Sequence, residues 1–191
     1  MEVRGAQEEQ AFIRALRNGW HLAPEGSSDT HGPNWGNVKT WTGVLAPGLS
    51  ARTVLAALRD RRCYSTLDRN CRLTFTVNGA AMGEVVPEAL AAGAELEVAV
   101  VVDEPNPADK VAKIELFENG EVVETREPGA DAAGPISWTT KRTVTAGGRE
   151  TLLFGKVTQA DGNLLWSAPV WVKGAAPKAA EDVRAPAKQG G

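Results

Sequence analysis

Lys113-Ile114-Glu115-Leu116-Phe117-Glu118-Asn119-Gly120-Glu121-Val122-Val123-Glu124-Thr125 is the stretch whose pattern decides the fold. Ile114 and Leu116, with Glu118 in phase, oppose Lys113, Glu115 and Phe117. That period of two belongs to a strand with two unlike faces. Asn119-Gly120 follows, and both residues accept the positive φ that a type I′ turn demands. The chain is therefore expected to reverse there and return through residues 121–125 as the second strand of a hairpin.

Working outward, the same period recurs. Leu73, Phe75 and Val77 alternate with Arg72, Thr74 and Thr76, and Leu96, Val98, Val100 and Val102 share one face of a segment spanning residues 95–102. Further strands are expected at 136–144, 151–158 and 164–172, with Asp161-Gly162 turning the last pair. Six to eight short strands at this spacing predict an antiparallel β-sandwich over residues 71–172. Residues 173–191 (KGAAPKAAEDVRAPAKQGG) hold Ala, Pro, Gly and charge with a single Val. Such a segment buries too little apolar surface to offset its ordering entropy, so a disordered tail is expected.

Residues 1–70 read differently. Phe12, Ile13 and Leu16 recur at helical spacing within residues 7–18, and Asn18-Gly19 is a stop signal. Trp20 to Ala23 reads as a short buried strand, residues 25–37 as a Gly-rich loop, and residues 40–46 as another strand. Ser50 caps a second helix over 51–61, with Val54, Leu55 and Leu58 as its apolar face. Strand, loop, strand, helix is the order near the end of an α/β barrel or sheet. The fold class expected is therefore α+β: an incomplete α/β C-terminal portion over 1–70, a sandwich over 71–172, and a tail.

Lys and Arg number 21 against 24 Asp and Glu, for a net charge of −3. No basic stripe is present, so nucleic acid is not an expected partner. No apolar run reaches membrane-spanning length, so no membrane partner is expected either. The polar N-terminus (MEVRGAQEEQ) lacks the basic and apolar regions of a secretory signal, and a cytoplasmic location is expected. Cys63 and Cys71, eight apart, are expected as free, partly buried thiols.

The segment most able to carry chemistry is Gly26-Ser27-Ser28-Asp29-Thr30-His31-Gly32. A carboxylate and an imidazole two residues apart are suitable ligands for zinc, manganese or iron, and small neighbours let the backbone approach. From the spacing alone a polar turn, with Asp29 as an Asx residue, is the favoured reading over a metal site. Arg62 offers a bidentate contact to an anionic substrate, or a helix C-terminal cation favoured by the dipole. Tyr64 could order the site or pack. Trp35 lies in the Gly/Asn loop, where it could wall a pocket; the other five tryptophans read as packing. His21 reads as a structural histidine.

Gly19-Trp20-His21-Leu22-Ala23 followed by Gly26-Ser27-Ser28-Asp29-Thr30-His31 resembles the last metal motif of PHP-domain (polymerase and histidinol phosphatase) hydrolases, in particular their CehA/McbA-like branch. Thr42 to Ala46, Ala56 to Arg59 with Arg62 to Thr66, Asn78-Gly79 with Met82-Gly83, and Trp166 to Val172 resemble later segments in the same order, so the likeness spans roughly residues 10–172. The resemblance implies metal-dependent hydrolysis of a phosphoester or other ester. Asp29 and His31 would ligate a divalent transition metal, and Arg62 would stabilise developing charge as the catalytic residue. Trp35 and Tyr64 would contact substrate. The family's early His-x-His is missing, since His21 and His31 are the chain's two histidines, and Arg61 stands where the family's turn has Gly. The site is thus expected to be incomplete alone, as in a truncated gene product. A non-catalytic interaction module built on the sandwich is the alternative. Exposed apolar residues such as Leu22, Val44 and Leu45 would favour a homo-oligomer.

Overall fold

The computed structural model describes residues 1–33, 36, 38–129, 135–144 and 150–175. Helix α1 (Ala6–Arg17) opens the chain, followed by strand β1 (Trp41–Val44), helix α2 (Ala51–Arg59) and strand β2 (Cys63–Thr66). Then come β3 (Arg72–Val77), β4 (Ala80–Ala81), β5 (Glu95–Asp103), β6 (Val111–Glu118) and β7 (Glu121–Arg126). β8 (Ile136–Thr143), β9 (Glu150–Gln159), β10 (Leu164–Ser167) and β11 (Val170–Lys173) complete the order.

Two sheets pack face to face. The larger runs β1-β2-β10-β9-β6-β7, with β11 also on β9, and the smaller runs β4-β3-β5-β8. The hairpin read at Asn119-Gly120 is present: Glu118 faces Glu121 across it, and both turn residues have positive φ. Between the sheets the alternating faces meet. Leu73, Phe75 and Val77 of β3 and Leu96, Val98, Val100 and Val102 of β5 pack against Ile114, Leu116, Leu153, Val157 and Leu165. Gly155, in mid-β9, makes room for the Phe75 ring: a Cβ there would lie 3.2 Å from it.

α1 forms a third layer on the outer face of the larger sheet. Phe12, Ile13 and Leu16 join Phe117, Leu152, Phe154, Trp166 and Trp171 in a second core. This explains why β9 is buried on both faces, since its two sets of side chains enter different cores. Glu9 is buried with them; its carboxylate accepts from Trp166 Nε1 and pairs with Lys156, both at 2.6 Å.

The α/β expectation for residues 1–70 is overturned. β1 and β2 pair antiparallel, and β2 continues into the sandwich through antiparallel pairing with β10. Among the described residues every ladder between named strands is antiparallel, and parallel pairing is confined to isolated bridges. In an α/β unit the connecting helix joins parallel strands and buries its apolar stripe on the sheet. α2 joins antiparallel strands, and Ala57 is its one buried residue. Trp20 to Ala23 forms no strand, and Trp20 is exposed. The PHP-type barrel end is therefore replaced by an extension of the sandwich.

The closing strand expected over 164–172 is broken at Ala168-Pro169, where proline has no N–H for the ladder. Residues 83–90 run beside β11, with Gly83, Val86 and Leu90 donating to Pro169, Trp171 and Lys173 at 2.8 Å, so that edge is covered. Lys173 closes β11 and Ala175 donates to the Leu90 carbonyl; the rest of the expected tail lies outside the described residues.

Candidate functional site

Asp29 takes a left-handed conformation, φ 49°, in the loop before β1. Its Oδ1 lies 3.2 Å from His31 Nε2, and both side chains stand in solvent, 61% and 89% exposed. Backbone anchors hold the loop's base: Gly26 N donates to Thr42 Oγ1 at 3.0 Å, and Thr40 Oγ1 donates to the Ser27 carbonyl. The two groups thus converge on each other. Among the described residues they belong to no cluster of three metal-ligating groups, whereas a catalytic metal needs three protein ligands and an open position. With the barrel gone, the metal-binding and hydrolase readings of this loop are corrected to that of an exposed polar turn. Trp35 lies outside the described residues.

Arg62 and Tyr64 go to different surroundings. Tyr64 is a core residue of β2, and its hydroxyl donates to the Cys71 carbonyl at 3.1 Å. Burial raises its pKa. Arg62 Nη2 binds Glu84 Oε1 at 2.8 Å, while its Nε is buried without a partner. Arg62 lines a surface hollow of about 440 Å³ with Asp60, Arg61, Gly83, Glu84, Val85 and Pro87. Arg61 donates to the Gly83 carbonyl at 3.1 Å and sits 5.5 Å from the Trp171 ring centroid. Glu84 already pairs with the Arg62 guanidinium. No hydrogen bond or ion pair among the described residues joins Arg62 or Tyr64 to the Asp29–His31 pair. His21 stacks on Trp171 at 4.2 Å and meets Glu150 at 2.6 Å, a packing position.

A different constellation gathers where two connections meet the end of β9 at one end of the sandwich. Just after β2, Thr66 Oγ1 donates to the Asp68 carbonyl at 2.7 Å. Asp68 Oδ1 in turn accepts from Asn70 N at 2.7 Å, an Asx-type turn. Between β5 and β6, Glu104 accepts from Asn106 N at 2.7 Å, and Asn106 Nδ2 donates to Asp109 at 2.6 Å. Gln159, the last residue of β9, inserts its amide between them. Its Nε2 donates to Asp68 Oδ2 and to Glu104 Oε2, each at 2.8 Å. Gln159 is 1% exposed, and its Oε1 has no partner.

Asp68, Glu104 and Asp109 each offer an oxygen, and these lie within 4.8 Å of one another. Burial, together with Asp68, raises the Glu104 pKa. Burial also pushes Asp68 upward, but hydrogen bonds from Asn70 and Gln159 outweigh it and the net shift is down. Sequence reasoning missed this group because its members are dispersed over residues 68, 104, 109 and 159. The run Asp103 to Asp109, with three acidic residues and an Asn set between two prolines, was the one local signal.

The last feature is apolar. α2 carries a full capping box at Ser50 and Thr53. Yet Leu55 is 53% exposed, Leu58 is 40% exposed, and Leu49 just before the helix is fully exposed. Leu22, Val44 and Leu45, expected on the surface, are instead partly buried. None of the helices described is long and apolar enough to cross a membrane.

The fold and its surfaces define a β-sandwich with a helix on one face. No family model matches the chain. An uncharacterized protein of Chlamydia trachomatis is 26% identical over 138 residues, covering 69% of this chain and 22% of that protein. An uncharacterized protein of Chlamydia pneumoniae is 25% identical over the same length and shares. The chain thus spans about a fifth of the length of these relatives. Among solved structures it is similar to fibronectin(III)-like modules of Clostridium thermocellum CbhA, with a TM-score of 0.34 and 13% identity, over 55% of this chain and 100% of that one. An engineered protein gives a TM-score of 0.32 at 23% identity, over 55% of this chain and 20% of that one.

Proposed function

We propose that the chain is a non-catalytic interaction module: a β-sandwich that presents the apolar face of α2 to a protein partner. The observation that carries this reading is the exposure of Leu49, Leu55 and Leu58 on and beside a helix whose sequence is strongly amphipathic. Burying a leucine side chain contributes about 1.5–3 kcal/mol, so three together form a worthwhile docking patch. Arg52 and Arg59 flank it on the same exposed helix. Two copies set face to face across α2 would bring these cations together, so a partner with an apolar centre and an acidic rim fits better than a second copy. The sandwich supplies a rigid mount, because β1 and β2, on either side of α2, are both paired into the larger sheet.

The test uses a photo-crosslinking residue at position 55 and, as a control, at Thr74, which is exposed on the smaller sheet. A discrete protein adduct is expected at 55 and not at 74. The purified adduct partner is expected to bind the unmodified chain and to lose at least tenfold in affinity to a Leu55→Glu/Leu58→Glu variant of unchanged circular dichroism. Absence of an adduct, or a partner indifferent to the double variant, overturns the reading.

A further inference from the structure

We propose that the hollow at the C-terminal end of α2 receives an acidic side chain of the protein that docks on α2, with Arg61 as its anchor. The identity of the partner rests on the α2 reading above; what is added is where its charge is held, and by which group.

The backbone sets the anchor. After Arg59 the helix closes with Arg61 N donating to the Leu58 carbonyl at 3.1 Å and Arg62 N donating to the Ala57 carbonyl at 2.9 Å. These two bonds make a Schellman turn, whose left-handed position is usually glycine. Here that position is arginine, with φ 61°. A side chain is strained in this conformation, and such strain persists where the surroundings hold it and concentrates at binding sites.

The surroundings do hold it. Gly83 lies so close to the turn that a Cβ there would stand 2.5 Å from the Asp60 and Arg61 carbonyl oxygens. Gly83 N donates to the Pro169 carbonyl at 2.8 Å, and Trp171 N donates to the Glu84 carbonyl at 3.1 Å, so this wall is tied to β11 and the residue before it. Arg61 Nε donates to the Gly83 carbonyl at 3.1 Å, and its guanidinium carbon lies 5.5 Å from the centroid of the buried Trp171 ring.

The chemistry follows from what these contacts leave free. With Nε engaged, the two Nη groups remain, and among the described residues no carboxylate or carbonyl meets them. They are the paired donors of a planar fork that matches two carboxylate oxygens. Glu84 does not compete for them: its Oε1 accepts from Arg62 Nη2 at 2.8 Å and its Oε2 from Ala81 N at 3.0 Å. Asp60, exposed at the rim, bonds to neither arginine. A guanidinium already fixed in place loses little freedom on binding, which separates Arg61 from the exposed Arg52 and Arg59. The hollow, about 440 Å³, is lined by Asp60, Arg61 and Arg62, which continue α2 directly. A partner that covers Leu55 and Leu58 therefore brings its rim over the hollow. Arg52, Arg59, Arg61 and Arg62 outnumber Asp60 and Glu84 on this face, so an acidic rim is the complementary one.

The first experiment needs no partner. N-acetylglutamate α-amide, which carries a single side-chain carboxylate, is titrated into the full ¹⁵N-labelled chain at pH 7 and fixed ionic strength, and the Arg61 Nε–H and Gly83 amide resonances are followed. Saturable shifts are expected with a Kd on the order of 10 mM, and none with the neutral N-acetylglutamine α-amide. Arg61→Gly, which suits the turn, should keep its circular dichroism and weaken the probe at least about tenfold. A Leu55→Ala/Leu58→Ala chain should bind the probe as the parent does, so failure of the probe and failure of the α2 surface are read separately. In the second experiment, the partner captured through position 55 should lose at least about tenfold in affinity for Arg61→Gly. The proposal is overturned by the lack of a saturable shift at about 50 mM probe, by probe binding that survives Arg61→Gly, or by a partner indifferent to that substitution. Inorganic phosphate binding more tightly than the probe overturns the choice of a carboxylate.

Discussion

Tyr64 and Gly43 face each other across the β1–β2 ladder, and the phenol ring occupies the space that a Cβ at position 43 would need. Glycine here is a packing requirement, since Gly43 is absent from the residues of positive φ. Gly43→Val is expected to destabilise by about 1–3 kcal/mol, as overpacking does. The same change in a Tyr64→Ala background should cost less, and urea unfolding of the double-mutant cycle reads the difference. Equal costs in both backgrounds would show that the ring is not the obstacle.

Cys63 makes a second prediction at this scale. Burial pushes its thiol up to about 11. A raised folded pKa gives stability that is complete below the unfolded thiol value, near 8.5, and lost as pH rises through the folded value. Cys63 should therefore contribute on the order of 2–3 kcal/mol to a fall in stability between about pH 8.5 and 11, so the fall is smaller in Cys63→Ala; Cys71, whose thiol burial also raises, adds to it in both chains. These residues also mark how far the letters reach. The free cysteines were legible from spacing, whereas the fate of Tyr64 was not, because a tyrosine a few residues after a helix reads alike whether its ring meets substrate or a glycine. Asp29 and His31 were legible as a pair, but their solvent exposure depends on a barrel wall that this fold lacks.

Two helices with similar patterns meet opposite ends at the scale of elements. α1 lays Phe12, Ile13 and Leu16 on the sheet and pins itself through Glu9 to Trp166 and Lys156. Removing one member of a buried ion pair leaves the other charge unpaired. Glu9→Ala is thus expected to destabilise by about 3–5 kcal/mol in urea, and Glu9→Gln by less, since an amide oxygen still accepts from the indole. An Ala variant as stable as the parent would show that α1 is held by apolar contact alone. By contrast, Leu55→Ser on α2 should change stability within about 0.5 kcal/mol, as surface substitutions do. Periodicity reports that a helix has an apolar stripe and is silent on what covers it. That is why the hairpins and the inner strand faces, which are set by local alternation and turn chemistry, could be read directly. It is also why α2 between two strands passed for an α/β crossover: the direction of β2 relative to β1 is fixed by its long-range pairing with β10, about 100 residues away in the chain. The carboxylate cluster was hidden for the same reason, since two separate connections and the end of β9 bring it together.

Across the whole molecule, the consequence is cooperativity. A chain divided near residue 70 into an α/β portion and a sandwich would unfold in two steps, each with its own core. Here β2 sits between β1 and β10 in one continuous sheet, and Ser65 Oγ donates to the Val3 carbonyl at 2.5 Å. α1 covers the outer face of the strands that form the sandwich core on their inner face. Neither half can lose its structure without stripping apolar surface from the other. Urea unfolding followed by far-ultraviolet circular dichroism and by tryptophan fluorescence should therefore give one coincident transition. The fluorescence is informative because Trp166 and Trp171 lie under α1, whereas Trp138 lies between the sheets, so the two cores are reported together. A version beginning at residue 71 loses α1, β1 and β2 at once. It would bare Phe154, Trp166 and Trp171, all nearly inaccessible in the intact chain, and open the β10 edge that β2 pairs with. Such a surface invites edge-to-edge and apolar association. The shortened chain is expected to aggregate or to bind an apolar dye under conditions where the intact chain unfolds reversibly. Two separated transitions, or a stable monomer from residue 71 onward, would mean that the sandwich folds independently and that the N-terminal layer merely rests upon it.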